Sequence, residues 1–392
     1  METLLMPKPR CDVVFINRSF WPHSPIVGAT ILKLAEKMSM KSSVAVVAQV
    51  SPDFKNQLEK HNRGKQVSFN CMKRATTSES HMIWRVIESI VFMMFVFWKL
   101  LRLRPRLVYV GTDPPVVVPF MVCIYKYFLG GKIVYHVQDI HPEATSVIFK
   151  GNRLLYKLAK ILDNFTLTSS DHIMTLSSSM ATVLRKRTNL TASITVINNP
   201  GLQTEVVGQA QIDGFAFCGN AGRLQLIPLI VRAVDRYLSS GGTFKFTFAG
   251  SGIFIKSIQE LSLKHPNKVT YLGVISGQSA AEVIDKHKWA LLPINDEVTQ
   301  FAFPSKASSY VHSRAKILAI CSADTAVAEW LNNNELGLSV SPKLDSIVDI
   351  FKEIENGYIP KFKSAGSARK RLQKELNFPY FIDQIHQILK QV

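Results

Sequence analysis

The chain has 392 residues, 47% of them apolar, enough for two ordinary hydrophobic cores and too many for a largely disordered protein. Its 47 lysines and arginines outnumber 29 acids, and the net charge of +18 calls for nucleic acid, an anionic membrane surface or an anionic substrate. The basic residues are spread along the chain, with no zinc-finger spacing, RNA-binding aromatic signature or basic low-complexity tail, which argues against nucleic acid as the main partner.

In chain order, the start Met-Glu-Thr-Leu-Leu-Met-Pro-Lys-Pro-Arg puts an acid at position 2 and prolines where a signal peptide needs apolar residues, so secretion is not expected. Residues 12–17 read as a first strand and 20–25 as a loop. Gly28 then opens a helix whose apolar face is Ile31, Leu34, Ala35 and Met38. A second strand is expected at 43–49.

Residues 83–103 form an unusually greasy segment, with an uninterrupted apolar run from Ile90 to Trp98 and the basic Arg104-Pro105-Arg106 after it. That run is too short to span a bilayer, which takes about 20 residues. Two readings stand side by side. In one, a helix lies in a membrane interface, with Trp84 and Trp98 near its ends and Lys99, Arg102, Arg104 and Arg106 toward anionic head groups. In the other, a helix apolar all round is simply core.

Residues 107–111 make a strand ending in Thr112-Asp113-Pro114-Pro115. A helix is expected over 119–129 and a strand over 132–137, with Gln138-Asp139-Ile140-His141-Pro142-Glu143 as the turn after it. Strands at 172–176 and 194–197 continue an alternation expected of a mostly parallel sheet. Asn198-Asn199-Pro200-Gly201 marks the crossing into a second half that repeats the grammar. Its strands are expected at 215–218, 245–249, 269–272, 289–293, 317–321 and 338–340, and a closing helix carries Phe378, Phe381, Ile382, Ile385, Ile388 and Leu389. In open α/β sheets ligands sit outside the carboxyl ends of the strands, so the turns are where chemistry is expected.

The most informative of them is Cys218-Gly219-Asn220-Ala221-Gly222-Arg223. An apolar strand that turns through glycines into a helix leaves backbone N–H groups and the positive end of the helix dipole facing outward, a site for a phosphate. Arg223 adds a fixed charge there. The five cysteines, Cys11, Cys71, Cys123, Cys218 and Cys321, show no CxxC and no metal spacing, as expected of buried thiols in a reducing compartment.

Five features in sequence carry a resemblance: Ile-Asn-x-x-Phe-x-Pro with Gly28, Asp113-Pro114-Pro115, Val137-Gln138-Asp139-Ile140-His141-Pro142-Glu143, Gly219-Asn220-x-Gly222-Arg223 and Pro304-Ser305-Lys306. Over roughly residues 11–345 the chain resembles the retaining, GT-B fold glycosyltransferases of family 4, in the branch that builds bacterial O-antigen, capsule and colanic-acid polysaccharides. The resemblance implies two Rossmann-like domains facing across a central cleft. Residues 1–199 would be an acceptor-binding domain with the membrane-associating segment near 83–106. Residues 200–375 would bind the nucleotide sugar, and 376–392 would form the closing helix.

It further implies transfer from a nucleotide diphosphate sugar, UDP- or GDP-linked, to a lipid-linked saccharide at the inner face of the cytoplasmic membrane. No cofactor and no metal are needed, because arginine, lysine and helix N-termini neutralise the leaving diphosphate. Arg223 and Lys306 take that role. Asn220, Gly222, Gly250, Gly252 and Ser305 fall on the donor side, as does Gly28, although Ile26-Val27-Gly28 lacks the usual paired glycines. Asp139 would bind the acceptor or sugar and could deprotonate the acceptor hydroxyl, with His136, His141 and Glu143 as acceptor contacts.

The sequence departs from the pattern where many relatives carry two glutamates seven residues apart. Residues 303–312 hold no acid, and His312-Ser313-Arg314-Ala315-Lys316-Ile317 replaces the usual Ala-x-Gly-x-Pro-Val. Asp296 and Glu297 are the nearest acids. The rival readings are a degenerate, non-catalytic GT-B subunit and a GT-B fold nucleotide-sugar epimerase. A dinucleotide dehydrogenase is weaker, since no strict GxGxxG with its distal acid is present.

Overall fold

The computed structural model describes residues 10–76, 80–148, 151–188, 190, 192–204, 210–358 and 366–392. The chain divides into two compact units, Met1–Asn198 with Phe381–Val392, and Asn199–Tyr380.

The first unit holds strands β1 (Cys11–Ser19), β2 (Val44–Val50), β3 (Ser68–Lys73), β4 (Pro105–Gly111), β5 (Lys132–Val137), β6 (His172–Thr175) and β7 (Ser193–Val196). They form one parallel sheet in the order β3-β2-β1-β4-β5-β6-β7. Its helices are α1 (Val27–Ser39), α2 (Phe54–Lys60), α3 (Met82–Leu103), α4 (Val117–Leu129), α5 (Glu143–Ile148), α6 (Arg153–Ser169) and α7 (Ser178–Arg187). β2 reads Val-Ala-Val-Val-Ala-Gln-Val and is buried throughout, the composition of a parallel strand covered on both faces.

The second unit repeats the plan. β8 (Ile212–Cys218), β9 (Lys245–Ala249), β10 (Val269–Tyr271), β11 (His287–Pro293), β12 (Lys316–Ile320) and β13 (Gly337–Val340) form a parallel sheet in the order β10-β9-β8-β11-β12-β13. Its helices are α8 (Ile227–Ser239), α9 (Ile255–Lys264), α10 (Gly277–Asp285), α11 (Ser305–Val311), α12 (Ala326–Asn333), α13 (Leu344–Glu355) and α14 (Ser367–Glu375). An aromatic stack of Phe215, Tyr237, Phe244, Phe246 and Phe351 sits between β8–β9 and the helices α8 and α13. The last helix, α15 (Phe378–Gln391), places Phe381, Ile382, Ile385, Ile388 and Leu389 in the core of the first unit, against residues of β1, β2 and α1.

In each sheet the winding reverses beside its first strand, between β1 and β4 and between β8 and β11. Side chains after those strands project into the crevice where doubly wound folds bind ligands.

The greasy segment is a single helix of 22 residues whose two faces differ. Phe92, Val96 and Leu100 are fully buried, whereas Ile83, Trp84, Val86, Ile87, Ile90, Val91, Met94, Trp98 and Leu101 are exposed. The core reading holds for one face, and the other face is apolar and exposed. Among the described residues no helix is long and apolar enough to cross a membrane. Cys11, Cys123, Cys218 and Cys321 are buried, and burial pushes the Cys123 and Cys218 thiols up to about 12.

Candidate functional site

In the second unit the site is built from the turns after β8, β9 and β11. β8 is buried through Phe215–Cys218 and turns at Gly219, with φ of 146°, a conformation L side chains rarely adopt. A side chain at Gly219 would also collide with Lys306, whose Cε lies 1.9 Å from where a Cβ would stand. The glycine is therefore the roof over Lys306. That lysine is the second residue of α11, and its Nζ lies 4.9 Å from the Phe217 ring centroid. Burial lowers the pKa of the Lys306 ammonium to about 8, with the Cys218 thiol pulling the other way.

The turn after β9 locks onto this one. A Cβ on Gly250 would fall 2.0 Å from the Gly219 carbonyl oxygen, and one on Gly252 would fall 2.6 Å from the Ala221 backbone, so both glycines are set by contact with the neighbouring turn. Gly219 N–H donates to the Ala249 carbonyl at 2.8 Å and Ala221 N–H to the Ser251 carbonyl at 2.6 Å. These two N–H groups are thus spent on the fold, which corrects the expectation that the whole turn faces a phosphate. Nor does the helix begin at once, because a 3-10 turn spans Arg223–Gln225 and Leu226 takes φ of 50° before α8 starts. Asn220, Arg223 and Ser305 are exposed, and Gly222 is buried.

The missing acids have a structural counterpart. Asp296 accepts from Ser322 N–H at 2.9 Å and from its hydroxyl at 2.5 Å, so it ties β11 to β12. Arg314 grips Asp285 through Nε at 2.9 Å and Nη2 at 2.7 Å, and His312 Nε2 bonds the Leu376 carbonyl at 3.1 Å. The unusual 312–317 stretch is a packing knot. Glu297 stays exposed.

In the first unit the turns after β1 and β4 are knitted together. Arg18 Nη2 pairs with Asp113 Oδ1 at 2.8 Å, and Ser19 N–H donates to Asp113 Oδ2 at 2.9 Å. Asp139 follows β5, is half-buried, and has its pKa raised to about 6 by burial and then by the nearby Asp113 carboxylate. It is an acid able to hold or release a proton near neutrality.

Two acceptor-side expectations and one donor-side expectation change. His136 is 2% exposed inside β5, bonded to Tyr109 Oη and to Gln138 Nε2, and burial lowers its pKa to about 3. It is a neutral core histidine and cannot touch an acceptor. Glu143 is buried in an ion-pair cluster, 3.0 Å from Arg187 Nη1 and 3.1 Å from Lys160 Nζ, while Arg187 Nη2 reaches Asp163 at 2.6 Å. Arg187 Nη1 also donates to the His141 carbonyl at 2.9 Å. Glu143 and Arg187 therefore brace the turn that carries Asp139. Gly28 lets α1 pack on its own loop, since a Cβ there would lie 2.5 Å from Trp21 N, and this explains the residue without a donor contact. His141 is half-buried, bonds Thr145 Oγ1 at 2.8 Å and has its pKa lowered to about 4, chiefly by burial.

Arg18 and Arg187 carry no signal of their own in the sequence, because their partners lie up to about a hundred positions away, Asp113 for Arg18 and Glu143 and Asp163 for Arg187. Among the described residues no group of three or more His, Cys, Asp or Glu is arranged to hold a metal ion.

No protein-family model matches the sequence. The "Probable glycosyltransferase WbjE" of Pseudomonas aeruginosa is 24% identical over 301 residues, covering 70% of this chain and 73% of that protein. Among solved structures, HepE from Anabaena in complex with UDP has a TM-score of 0.63 at 13% identity, over 97% of this chain and 100% of that one. The lipopolysaccharide outer core galactosyltransferase WaaB has a TM-score of 0.62 at 14% identity, over 97% of this chain and 100% of that one. The fold is thus GT-B, two parallel-sheet Rossmann-like domains, and the likeness to WbjE supports a glycosyltransferase.

Proposed function

We propose that this protein transfers a sugar from a UDP- or GDP-linked donor to a lipid-linked saccharide during assembly of a surface polysaccharide such as O-antigen or capsule. The observation that carries this reading is Lys306, a desolvated ammonium at the start of α11 under the Gly219 turn, beside the reversal of the second sheet. A charge there, with Arg223 at the rim, meets the negative charge that a leaving nucleotide diphosphate acquires. The UDP in the HepE structure and the name of WaaB support the donor and acceptor classes.

The bond from the donor's anomeric carbon to the diphosphate oxygen breaks, and its electrons pass to the phosphate that Lys306 and Arg223 stabilise. The acceptor hydroxyl forms the new bond, and its proton goes to the departing phosphate or to Asp139. We assign retention of configuration, independence from metal and cofactor, and residence at the inner face of the cytoplasmic membrane to the same proposal. The exposed apolar side of α3, flanked by Lys99, Arg102, Arg104 and Arg106, supports the last of these.

Thermal stability against UDP, GDP and their sugars tests the donor. A ligand at 100 times its dissociation constant adds about 2.7 kcal/mol. Turnover with lipid-linked acceptors follows, and Arg223→Ala is expected to lose at least about a hundredfold while remaining folded. A non-catalytic subunit is the second reading, favoured by the commitment of Asp296 to Ser322. Nucleotide binding without turnover on any acceptor would establish it.

A further inference from the structure

Beyond the carboxyl ends of β1, β2 and β3 lies a cavity of about 400 Å³, lined by Arg18, Phe20, His23, Gln49, Ser51 and Arg74 among others. Gln49 is 4% exposed, and neither its amide oxygen nor its amide nitrogen has a hydrogen-bond partner among the described residues. Leaving the amide N–H groups unpaired costs free energy, whereas a bound ligand that offers an acceptor would satisfy them. Two guanidiniums share the cavity. Arg18 is paired with Asp113, but Arg74 makes no ion pair among the described residues and only donates from Nε to the Thr76 carbonyl at 2.8 Å.

The cavity is tied to the greasy helix. Arg18 Nη1 donates to Ser89 Oγ of α3 at 3.1 Å, and the buried Glu88 of α3 accepts from Ala75 N–H at 2.6 Å and Thr76 N–H at 3.3 Å, holding one wall in place. On the same stretch of α3, Ile83, Trp84, Ile87, Ile90 and Val91 are exposed.

Resting on the transferase reading above, we propose that this cavity binds the diphosphate head of the lipid-linked acceptor. Arg18 and Arg74 meet its charge, the Gln49 amide donates to a phosphate oxygen, and the hydrocarbon chain lies along exposed α3. Arg18 then links this head, through Asp113, to the neighbourhood of Asp139.

The test is calorimetric titration of the full chain with farnesyl diphosphate, in saturating UDP and GDP so that the nucleotide site is occupied. Inorganic diphosphate and phosphatidylglycerol vesicles serve as separate probes. Farnesyl diphosphate is expected to bind more tightly than inorganic diphosphate, and Arg74→Gln and Gln49→Leu are each expected to weaken it at least about tenfold. Gln49→Leu should not lower the melting temperature, since it removes an unpaired buried amide, and Arg74 is exposed, so both variants fold. Unchanged farnesyl diphosphate affinity in both variants overturns the proposal. So does binding of the vesicles, but not of farnesyl diphosphate, that is sensitive to the same two substitutions, because the cavity would then serve a bulk lipid headgroup. A thermal shift of the wild type with UDP or GDP keeps the transferase reading alive if the cavity proposal fails, and its absence with both sinks that reading while farnesyl diphosphate still judges the cavity.

Discussion

Replacing Asp139 with asparagine separates its energetic burden from its chemistry. Its pKa rises from an ordinary 3.8 to about 6, first through burial and then through Asp113, so the native state holds a proton that the unfolded chain has given up. Stability from this group is complete below about 3.8 and is lost as the pH climbs through about 6, the reverse of a salt-bridged aspartate. A rise of that size corresponds to at most ~3 kcal/mol, and about 2 remains after allowing for partial exposure. Asp139→Asn cannot ionise and escapes that loss. At pH 7.5 its first unit should melt several degrees higher, since a domain of this size gains roughly 2–4 °C per kcal/mol. Turnover should fall by about a hundredfold if Asp139 takes the acceptor proton. Differential scanning calorimetry between pH 4 and 8, beside initial rates, reads both. Identical stability profiles for variant and wild type would refute the electrostatic account, and higher stability with full activity would remove Asp139 from the chemistry.

Lys306 is charged only below about 8, so kcat/KM for the donor should fall above that pH, and together with Asp139 give a bell between about 6 and 8. Lys306→Met should abolish the alkaline limb along with most of the rate. Arg187→Met strands Asp163 in the interior and leaves Glu143 with Lys160 alone, at a cost of about 3–5 kcal/mol read by chemical denaturation. Replacing Ile87, Val91 and Met94 with serine strips the exposed face of α3 without touching Phe92. Sedimentation with anionic vesicles should drop while the circular dichroism spectrum is kept, and unchanged sedimentation would mean that face does not meet lipid.

The strands that the sequence announces are those whose burial makes them apolar on both faces, such as β2 and β8. The edge strand β3, Ser-Phe-Asn-Cys-Met-Lys, has no fully buried residue, and α2 buries only Phe54, so neither leaves a periodic signal. The glycines of the β8 and β9 turns were legible as turns, but each is required by the other across about thirty residues, a contact no local pattern encodes. Lys306 was legible through Pro304-Ser305-Lys306. Its burial under Gly219 was not. Glu143, expected as an acceptor contact, belongs to an ion-pair cluster with Lys160 and with Arg187, which ends α7, and no local pattern encodes that pairing.

The placement of α15 sets an order of events on the ribosome. Residues 381–392 are made after the whole second unit, yet Phe381, Ile385 and Leu389 are fully inside the first core. Until they emerge, the apolar surface of β1, β2 and α1 that they cover stays open, so the unit synthesised first finishes last. A fragment cut near residue 198 would lack a wall of its own core, and the second unit is the better candidate for independent production.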